Sequence, residues 1–374
     1  MRAWQEPDPK AEDAARTAAD EATLAELGER GIDLDPGRTA ARETGAGSRG
    51  LESRGSAADD AATAHGADEQ RPGQPHPHPH AHSAPGEPPL TGIVGAGAVG
   101  TALGVALSRA GWPIVAVSSR DTARRERFRR LVPGVRAFSE ANALLDEVEL
   151  VILAVPDDAL AGMADGLRLY SGQALVHTSG VLGPEVLAAA RAAGTQIGAF
   201  HPLVAFAETE RAVAALHGAT IAVEGDDDLV ALLADLAESM GAMAVRLAPG
   251  AKAAYHAAAV LAAGGVVALL DAIVKLARVT GMDEAGALAV YLPLVRQTLD
   301  NAQALGVRDA LTGPFTRGDV GTLDAHLAEL QRDAPDVLEL YRAAGRRELA
   351  LAEERGVLAP DVSRRLAEAL AKPR

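Results

Sequence analysis

The sequence predicts an α/β fold in which a Rossmann-like, doubly wound and mostly parallel sheet is followed by an all-helical C-terminal domain. A glycine-rich turn follows a short apolar strand near residue 95, apolar strands then alternate with helical segments as far as residue 247, and only helical patterns follow. Such alternation is typical of parallel sheets with helices on their faces. We therefore divide the 374 residues into a disordered extension over 1–88, a sheet domain over 89–248 and a helical domain over 249–374.

The composition of the first 88 residues disfavours a folded core. They hold 9 Lys or Arg and 17 Asp or Glu, with 10 Gly, 9 Pro, no Val and one aromatic residue, Trp4. Such a segment cannot bury enough apolar surface to offset its ordering entropy. We predict disorder with a weak helix around Asp20–Leu27. The histidine tract over 75–82 is interpreted as a biased linker, with a weak metal-binding tract as the alternative.

The overall composition excludes several kinds of site. The chain has no Cys, which removes disulfides, thiolate metal centres and a cysteine nucleophile. A formal charge of −15 leaves no basic footprint for nucleic acid and argues against an anionic membrane surface. No HExxH motif or acidic calcium loop is present, so we expect no metal. No secretory signal is apparent, and we expect a cytoplasmic protein.

The first ordered element is predicted as strand Thr91–Val94, followed by a glycine turn and a helix that runs to Ala110. The first glycine permits the tight turn, the second lets the backbone approach a pyrophosphate, and the third lets helix and strand pack closely. The phosphates would lie at the positive N-terminus of the helix. The candidate cofactor-binding residues of this turn are Gly95, Gly97, Ala98, Val99 and Gly100.

The residues after the second strand indicate which dinucleotide would bind. Sites for NAD usually place Asp or Glu here, whereas this chain has Ser119 and Arg120. A hydroxyl and a guanidinium suit a 2′-phosphate, which favours NADP as the cofactor. Arg124 and Arg125 either assist in this or form a solvated helix face.

Further strands place polar residues at their carboxyl ends, where open α/β sheets bind ligands. Pro156, His177, Ser179 and His201 occupy such positions, and we expect Pro156 and Ser179 to lie near the nicotinamide. The alternative for His177 and Ser179 is that they cap the following helix. The strands are predicted over Pro113–Val117, Val135–Phe138, Glu149–Val155, Ala174–His177, Gln196–Phe200, Thr220–Glu224 and Met243–Leu247.

The helical domain begins with a long apolar segment. Its uncharged run, Ala257–Leu270, has 14 residues and is predicted to be too short to span a bilayer. Small residues at 262–265 suggest close helix packing, and we expect a homodimer. Helices are predicted over Ala251–Val279, Asp283–Leu305, Thr322–Gln331 and Pro335–Arg355, with a tail helix from Pro360.

These motifs carry a family resemblance. The GAGAVG turn, the ELVILAVPDD strand end and the helical C-terminal domain resemble the 6-phosphogluconate dehydrogenase-like superfamily, whose members include ketopantoate reductases, pyrroline-5-carboxylate reductases and NADP:coenzyme F420 reductases. HTSG at 177–180, FHPL at 200–203, YHAAAV at 255–260 and LTGPFTRGD at 311–319 are similar to an uncharacterised branch of Rossmann-like oxidoreductases. The C-terminal domain of that branch has unknown function. The resemblance covers about residues 89–350 and implies a hydride-transfer enzyme without fixing its substrate.

The first helix after the sheet domain carries candidate catalytic residues. Lys252 and His256 share one face because they are four residues apart, and either could protonate a developing alkoxide. The resemblance to β-hydroxyacid dehydrogenases places Lys252 on their lysine position, whereas His256 replaces their asparagine. The alternative is a solvated lysine and a satisfied core histidine. His201 is a third catalytic candidate, which otherwise only fixes the turn at the following proline.

The LTGPFTRGD segment is predicted as a long polar interruption between helices. Thr312 and Arg317 are candidate substrate residues, because the guanidinium of Arg317 would suit a substrate carboxylate. The alternative is a network between Arg317 and Asp319 that holds the loop. His326 is predicted to serve packing.

We therefore predict an NADP-dependent oxidoreductase that transfers a hydride between NADPH and a small carbonyl or imine, with a 2-oxo acid such as a ketopantoate-like compound favoured by analogy. The alternatives are a non-catalytic NADP(H)-binding sensor or assembly protein, and a flavin or deazaflavin protein.

Overall fold

A computed structural model of the chain describes residues 87–248 and 250–371. Nearly all of the predicted extension, including the weak helix and the histidine tract, lies outside the described residues. The chain divides into two compact units after His256, eight residues later than the sequence predicted. The reason is that the first turn of the first C-terminal helix packs against the sheet.

The first unit is built on an eight-stranded sheet with the order β3-β2-β1-β4-β5-β6-β7-β8. Neighbouring strands are parallel except β6 and β7, which are antiparallel. The strand order reverses between β1 and β4, which is where doubly wound sheets bind ligands. The strands are β1 Thr91–Val94, β2 Ile114–Ser118, β3 Arg136–Phe138, β4 Leu150–Leu153, β5 Ala174–His177, β6 Gln196–Pro202, β7 Thr220–Gly225 and β8 Met243–Arg246. The predicted fold class is confirmed.

Helices cover both faces of this sheet. Strands β1 and β4 are buried at every residue, as expected for central parallel strands with helices on both sides. Two separate clusters of buried apolar side chains form the cores of the two faces. The helices of this unit are α1 Ala98–Arg109, α2 Thr122–Leu131, α3 Asp157–Gly166, α4 Thr209–Leu216 and α5 Asp227–Ser239, with 3₁₀ helices over Ala141–Glu147 and Pro184–Ala193.

The C-terminal helices begin with α6 Lys252–Val260, which continues through a π-helical segment, Leu261–Gly265, into α7 Val266–Val279. This continuous helix has 28 residues, is strongly apolar and is mostly exposed. By length and composition alone it could cross a membrane, so the expectation from the 14-residue uncharged run was wrong. The polar residues His256 and Asp271 flank that run but do not end the helix.

The remaining helices belong to the second unit. The segment predicted as a polar interruption contains a short helix, because Pro314 suits a first helical position and Phe315 is 2% exposed. The core of this unit gathers around Phe315, Leu323 and Leu366. The helices are α8 Glu284–Leu305, α9 Pro314–Arg317, α10 Val320–Asp333, α11 Leu338–Glu354 and α12 Pro360–Ala371.

Candidate functional site

The three glycines of the turn after β1 have the surroundings that a dinucleotide turn requires. Gly95 has a φ of 107°, and a Cβ atom there would lie 2.2 Å from the carbonyl oxygen of Ala154. A Cβ atom at Gly100 would lie 2.0 Å from the Gly95 oxygen. Gly97 faces open space, with no atom within 4 Å of such a Cβ position. Only Gly97 is therefore free to face a ligand.

The N-terminus of α1 lies at the reversal of strand order. Gly97 is its N-cap and has no side chain to satisfy the first amides, while Ala98 and Val99 form its first turn. Pro156, at the end of β4, is the N-cap of α3. Helix N-termini attract anions, so the position beyond β1 suits a phosphate.

A cavity of about 320 Å³ adjoins this turn and is lined by Gly97, Arg124 and Arg127. The Arg127 guanidinium donates a hydrogen bond of 2.6 Å to the Thr209 hydroxyl, which fixes it at the cavity wall. Arg124 pairs only loosely with Asp121, at 3.5 Å on the surface. Two cations, the carboxylate residue Glu208 and the N-terminus of α1 therefore border one small cavity.

The arginines that follow β2 differ in their exposure and in their hydrogen-bond partners. Arg120 is exposed, and the Ser119 hydroxyl accepts a hydrogen bond from the Asp121 amide. Arg125 donates to the Ser119 carbonyl oxygen and to the Thr122 hydroxyl, so it holds the loop. Of the two uncertain arginines, Arg124 therefore lines the cavity and Arg125 does not.

The loop after β5 is fixed by its own side chains. The His177 ring accepts a hydrogen bond from the Ser179 amide at Nδ1, so Nε2 carries the proton and donates to the Gly183 carbonyl. Burial, and secondarily the charge of Lys252, lower the pKa of His177 to about 4. The Ser179 hydroxyl accepts from the amides of Val181 and Leu182. These contacts hold the loop itself. The helix that follows has Gly183 as its N-cap and no side-chain cap, so the capping alternative was wrong, and a role beside the nicotinamide stays a prediction.

Three rings meet above this loop. His201 lies edge-to-face with Tyr255 at 5.8 Å and with His256 at 5.4 Å between ring centroids. A Cβ atom at Gly180 would lie 2.2 Å from His256 Nδ1 and 2.7 Å from His201 Nε2. The backbone of Gly180 therefore closes one side of this ring cluster, and a larger residue there would have to displace the two histidine rings.

Lys252 forms a buried ion pair that sequence reasoning missed. Its Nζ lies 2.7 Å from Oε2 of Glu224, and the two side chains are 6% and 16% exposed. Burying an unpaired charge costs several kcal/mol of folding free energy. Each of these two charged side chains therefore needs the other as its counter-charge. The pair joins α6 to β7, one helical turn from His256.

Unsatisfied polar atoms concentrate in this part of the first unit. Among the described residues, six buried side-chain polar atoms lack a hydrogen bond, and five of the six belong to the ring cluster and the ion pair. The Lys252–Glu224 contact is electrostatic but lacks hydrogen-bond angles. Buried polar groups are nearly always satisfied, so such a concentration marks a place for water or a ligand. The five atoms are His201 Nδ1, His256 Nδ1, Tyr255 Oη, Lys252 Nζ and Glu224 Oε2.

The candidate proton donors His201, Tyr255 and Lys252 differ in charge, and the pKa values of His201 and Tyr255 are shifted in opposite directions. Burial, followed by the neighbouring His256 and Lys252, lowers the pKa of His201 to about 4. His201 is therefore neutral at pH 7. Burial raises the pKa of Tyr255 above its ordinary value. Lys252 brings a cationic N–H group to the site within an ion pair.

The predicted substrate residues of the helical domain lie in the second unit. Thr312 and Arg317 are both exposed. Asp319 caps α10 through the amide and hydroxyl of Thr322, which lower its pKa, with a smaller effect from Arg317. The carboxylate thus holds the helix start, and substrate binding by Thr312 and Arg317 stays a prediction. His326 contacts the Tyr341 hydroxyl at 2.7 Å.

Three contributing residues were not found from the sequence. Glu224 ends an apolar strand, and a single carboxylate in that position was the available signal. Gly180 stands in the HTSG motif, where only its neighbours were considered. Arg127 is one of several arginines on α2, and nothing in the spacing separates it from the others.

Two family models match the chain. A Rossmann-like domain matches residues 80–202, and a domain of unknown function, DUF2520, matches residues 219–348. The chain therefore has a segment similar to a Rossmann-like domain, followed by a segment similar to DUF2520. Gly180 and His201 lie in the Rossmann-like segment, whereas Glu224, Lys252 and His256 lie in the DUF2520 segment.

Solved structures share this fold. A Bacteroides fragilis protein with the provisional name NADP oxidoreductase has 23% identity and a TM-score of 0.61, covering 70% of this chain and 98% of its own. A Thermotoga maritima protein has 26% identity and a TM-score of 0.55, covering 71% and 99%. The 1-pyrroline-5-carboxylate reductase of Streptococcus pyogenes has 17% identity and a TM-score of 0.50, covering 76% and 99%. No curated protein matches this sequence.

Proposed function

We propose that this protein is an NADP-dependent oxidoreductase that reduces a small carbonyl or imine compound. The observation that carries the proposal is the concentration of unsatisfied polar groups around Lys252, beside the carboxyl ends of β5 and β6. The solved structures named for NADP oxidoreductase and 1-pyrroline-5-carboxylate reductase are consistent with this chemistry. A 2-oxo acid is the first substrate class to test.

The cofactor is proposed to bind along the end of the sheet at β1. Gly95, Gly97 and Gly100 shape the turn, and the free amides of α1 meet the pyrophosphate. We expect Ser119, Arg120 and Arg124 to bind the 2′-phosphate, because guanidinium groups form bidentate hydrogen bonds with phosphate oxygens. When bound, NADPH would supply the hydride.

Lys252 is proposed as the proton donor. A developing alkoxide or amine needs a cation or a proton within hydrogen-bond reach, and Lys252 offers an ammonium fixed by Glu224. His201 is neutral at pH 7, so it and His256 are proposed to orient the substrate from the ring cluster.

Fluorescence titration of NADPH and NADH tests the cofactor assignment. The wild type is expected to bind NADPH at least about tenfold more tightly than NADH, a difference of about 1.4 kcal/mol. Arg120→Ala and Arg124→Ala are expected to reduce that preference. Arg109→Ala serves as the control, because Arg109 pairs with Glu210 on the surface. Absence of binding by either nucleotide would sink the proposal.

Turnover separates an enzyme from a nucleotide sensor. NADPH oxidation is measured with a panel of 2-oxo acids and cyclic imines. Lys252→Met combined with Glu224→Gln, which leaves no unpaired buried charge, is expected to abolish it while preserving NADPH affinity. Tight NADPH binding with no turnover on the panel would favour a non-catalytic sensor.

A further inference from the structure

Lys252 is one of the few lysines in a chain whose basic residues are mostly arginines. Of the 36 basic residues, 32 are arginines and four are lysines, at positions 10, 252, 275 and 372. Arginine keeps its proton under all ordinary conditions, whereas lysine can release and recover one. A lysine that is only 5% exposed therefore suits a position where a proton must move.

A second cavity reaches this lysine. It has a volume of about 560 Å³, and Lys252 and Glu224 both form part of its wall. The 3₁₀ helix Pro184–Ala193 and the ends of β7 and β8 form the rest. His201 and His256 do not line it, so the cavity reaches the ion pair away from the ring cluster.

The cavity is suited to hold water. Its volume corresponds to roughly 18 water molecules at about 30 Å³ each. The charged side chains in its wall offer hydrogen-bond partners, and several are exposed, so the cavity is open to solvent. Besides the ion pair, these side chains are Glu185, Arg191, Asp226 and Arg246.

Most of the charged side chains in the wall are paired with an opposite charge. Arg191 forms two hydrogen bonds with Asp226, at 2.8 and 3.2 Å, and Asp226 also accepts from the Ile197 amide. Arg246 pairs with Asp227 at 2.9 Å. The wall holds three cations and three carboxylates, so it attracts neither sign strongly and favours neutral water over a bound ion.

We propose that this cavity is the proton supply of Lys252 and that Glu224 is the positioning residue that holds the buried ammonium beside it. The inference rests on the proposed function. Reduction adds a hydride to the carbon of C=O or C=N, and one proton to the oxygen or nitrogen. That proton leaves Nζ of Lys252, which becomes a neutral amine. Water in the cavity then returns one proton from solvent, so each turnover consumes one H⁺.

Blocking the cavity tests the route without a substrate. Ala188 lines the cavity and is exposed, whereas its neighbour Ala189 is exposed but does not line it. The full chain is labelled with acetic anhydride, and each lysine is quantified by mass spectrometry. We expect Ala188→Trp to slow labelling of Lys252 at least threefold, with Ala189→Trp unchanged. Lys275, whose side chain is 41% exposed, is the internal reference.

Equal labelling of Lys252 in the wild type and Ala188→Trp would overturn the proposed route. Glu224 is tested in the same assay, because a buried ammonium without its counter-charge gives up its proton more readily. Glu224→Gln is expected to speed Lys252 labelling at least threefold, and Glu224→Asp to restore slow labelling. No change with Glu224→Gln would refute the positioning role.

Kinetics provide an independent readout once a substrate is found. Ala188→Trp is expected to lower kcat at least threefold with KM and NADPH affinity unchanged. A raised KM with unchanged kcat would overturn the proposal, because the cavity would then hold substrate. Failure of wild-type NADPH binding would reject the proposed function, whereas labelling still decides whether the cavity reaches Lys252.

Discussion

Gly97 and Gly100 belong to one turn but have opposite surroundings. Gly97 has a negative φ of −78° and open space around it, whereas Gly100 packs against the backbone of Gly95. Alanine is therefore compatible with the fold at the first position and not at the second. The same small substitution can separate ligand binding from folding within four residues.

Gly97→Ala is expected to keep the wild-type Tm and to weaken NADPH binding at least about tenfold, because the methyl group occupies the space for the pyrophosphate. Gly100→Ala is expected to lower the free energy of unfolding by about 1–3 kcal/mol through overpacking. Thermal unfolding and fluorescence titration measure both. A marked loss of Tm in Gly97→Ala would contradict the open space at that position.

His177 makes stability depend on pH. Its pKa is about 4 in the folded chain and about 6.5 in the unfolded chain, so the unfolded state binds more protons between these values. The stabilisation is complete above pH 6.5 and is lost as the pH falls towards 4. The shift corresponds to at most about 3 kcal/mol.

Urea unfolding at pH 7.5 and pH 5 tests this dependence. The wild type is expected to lose more stability over that range than His177→Asn, which has no proton to gain. An identical pH dependence in both proteins would show that His177 does not contribute.

Among the secondary-structure elements, β7 and α6 depend on one ion pair for their contact at the site. The side chains of Glu224 and Lys252 are nearly buried, so removing one leaves an uncompensated charge inside the protein. Removing both charged side chains leaves no uncompensated charge. The double variant is therefore expected to lose less stability than the sum of the losses of the two single variants.

Glu224→Ala is expected to lower the free energy of unfolding by about 3–5 kcal/mol, and Glu224→Gln with Lys252→Met to recover most of that loss. Urea unfolding measures both. The exposed pair Arg246–Asp227 is the control, and its removal is expected to cost less than about 1 kcal/mol. A double variant as unstable as Glu224→Ala would refute the coupling.

The strands and the glycine turn were predictable because their signals are local. The apolar run ELVILAV and the spacing of Gly95, Gly97 and Gly100 each describe a single element. Glu224 and Gly180 were not predictable in their roles, because these depend on elements brought together by the tertiary fold. The antiparallel direction of β7 is likewise invisible in an apolar strand pattern, since direction depends on pairing with β6.

For the whole molecule, the exposed apolar side chains of the second unit are the main unexplained surface. Six of them on or near α7 and α8 are at least 59% exposed: Leu261, Val267, Leu294, Leu299, Leu305 and Val307. Large exposed apolar patches mark interaction surfaces. We propose a homodimer through this surface, since a second copy is always present at the same concentration.

Sedimentation of the full chain tests this proposal. The wild type is expected to sediment as a dimer, and Leu261→Glu with Leu299→Glu as a monomer, because charge is costly at an apolar interface. Val357→Glu is the control, since Val357 is 47% exposed in the turn before α12. A monomeric wild type, or one that partitions into detergent micelles, would contradict the dimer.

Two contacts of α6 within the first unit also fix how its first turns are rotated about the helix axis. Lys252 meets Glu224, and His256, four residues later, packs on Gly180 and His201. Each residue of a helix adds about 100° of rotation and about 1.5 Å of rise. Inserting or deleting one residue between Lys252 and His256 would rotate the two side chains by about 100° relative to each other, so that only one of them could keep its partner. The four-residue spacing within the helix is therefore as much a part of the site as the side chains themselves.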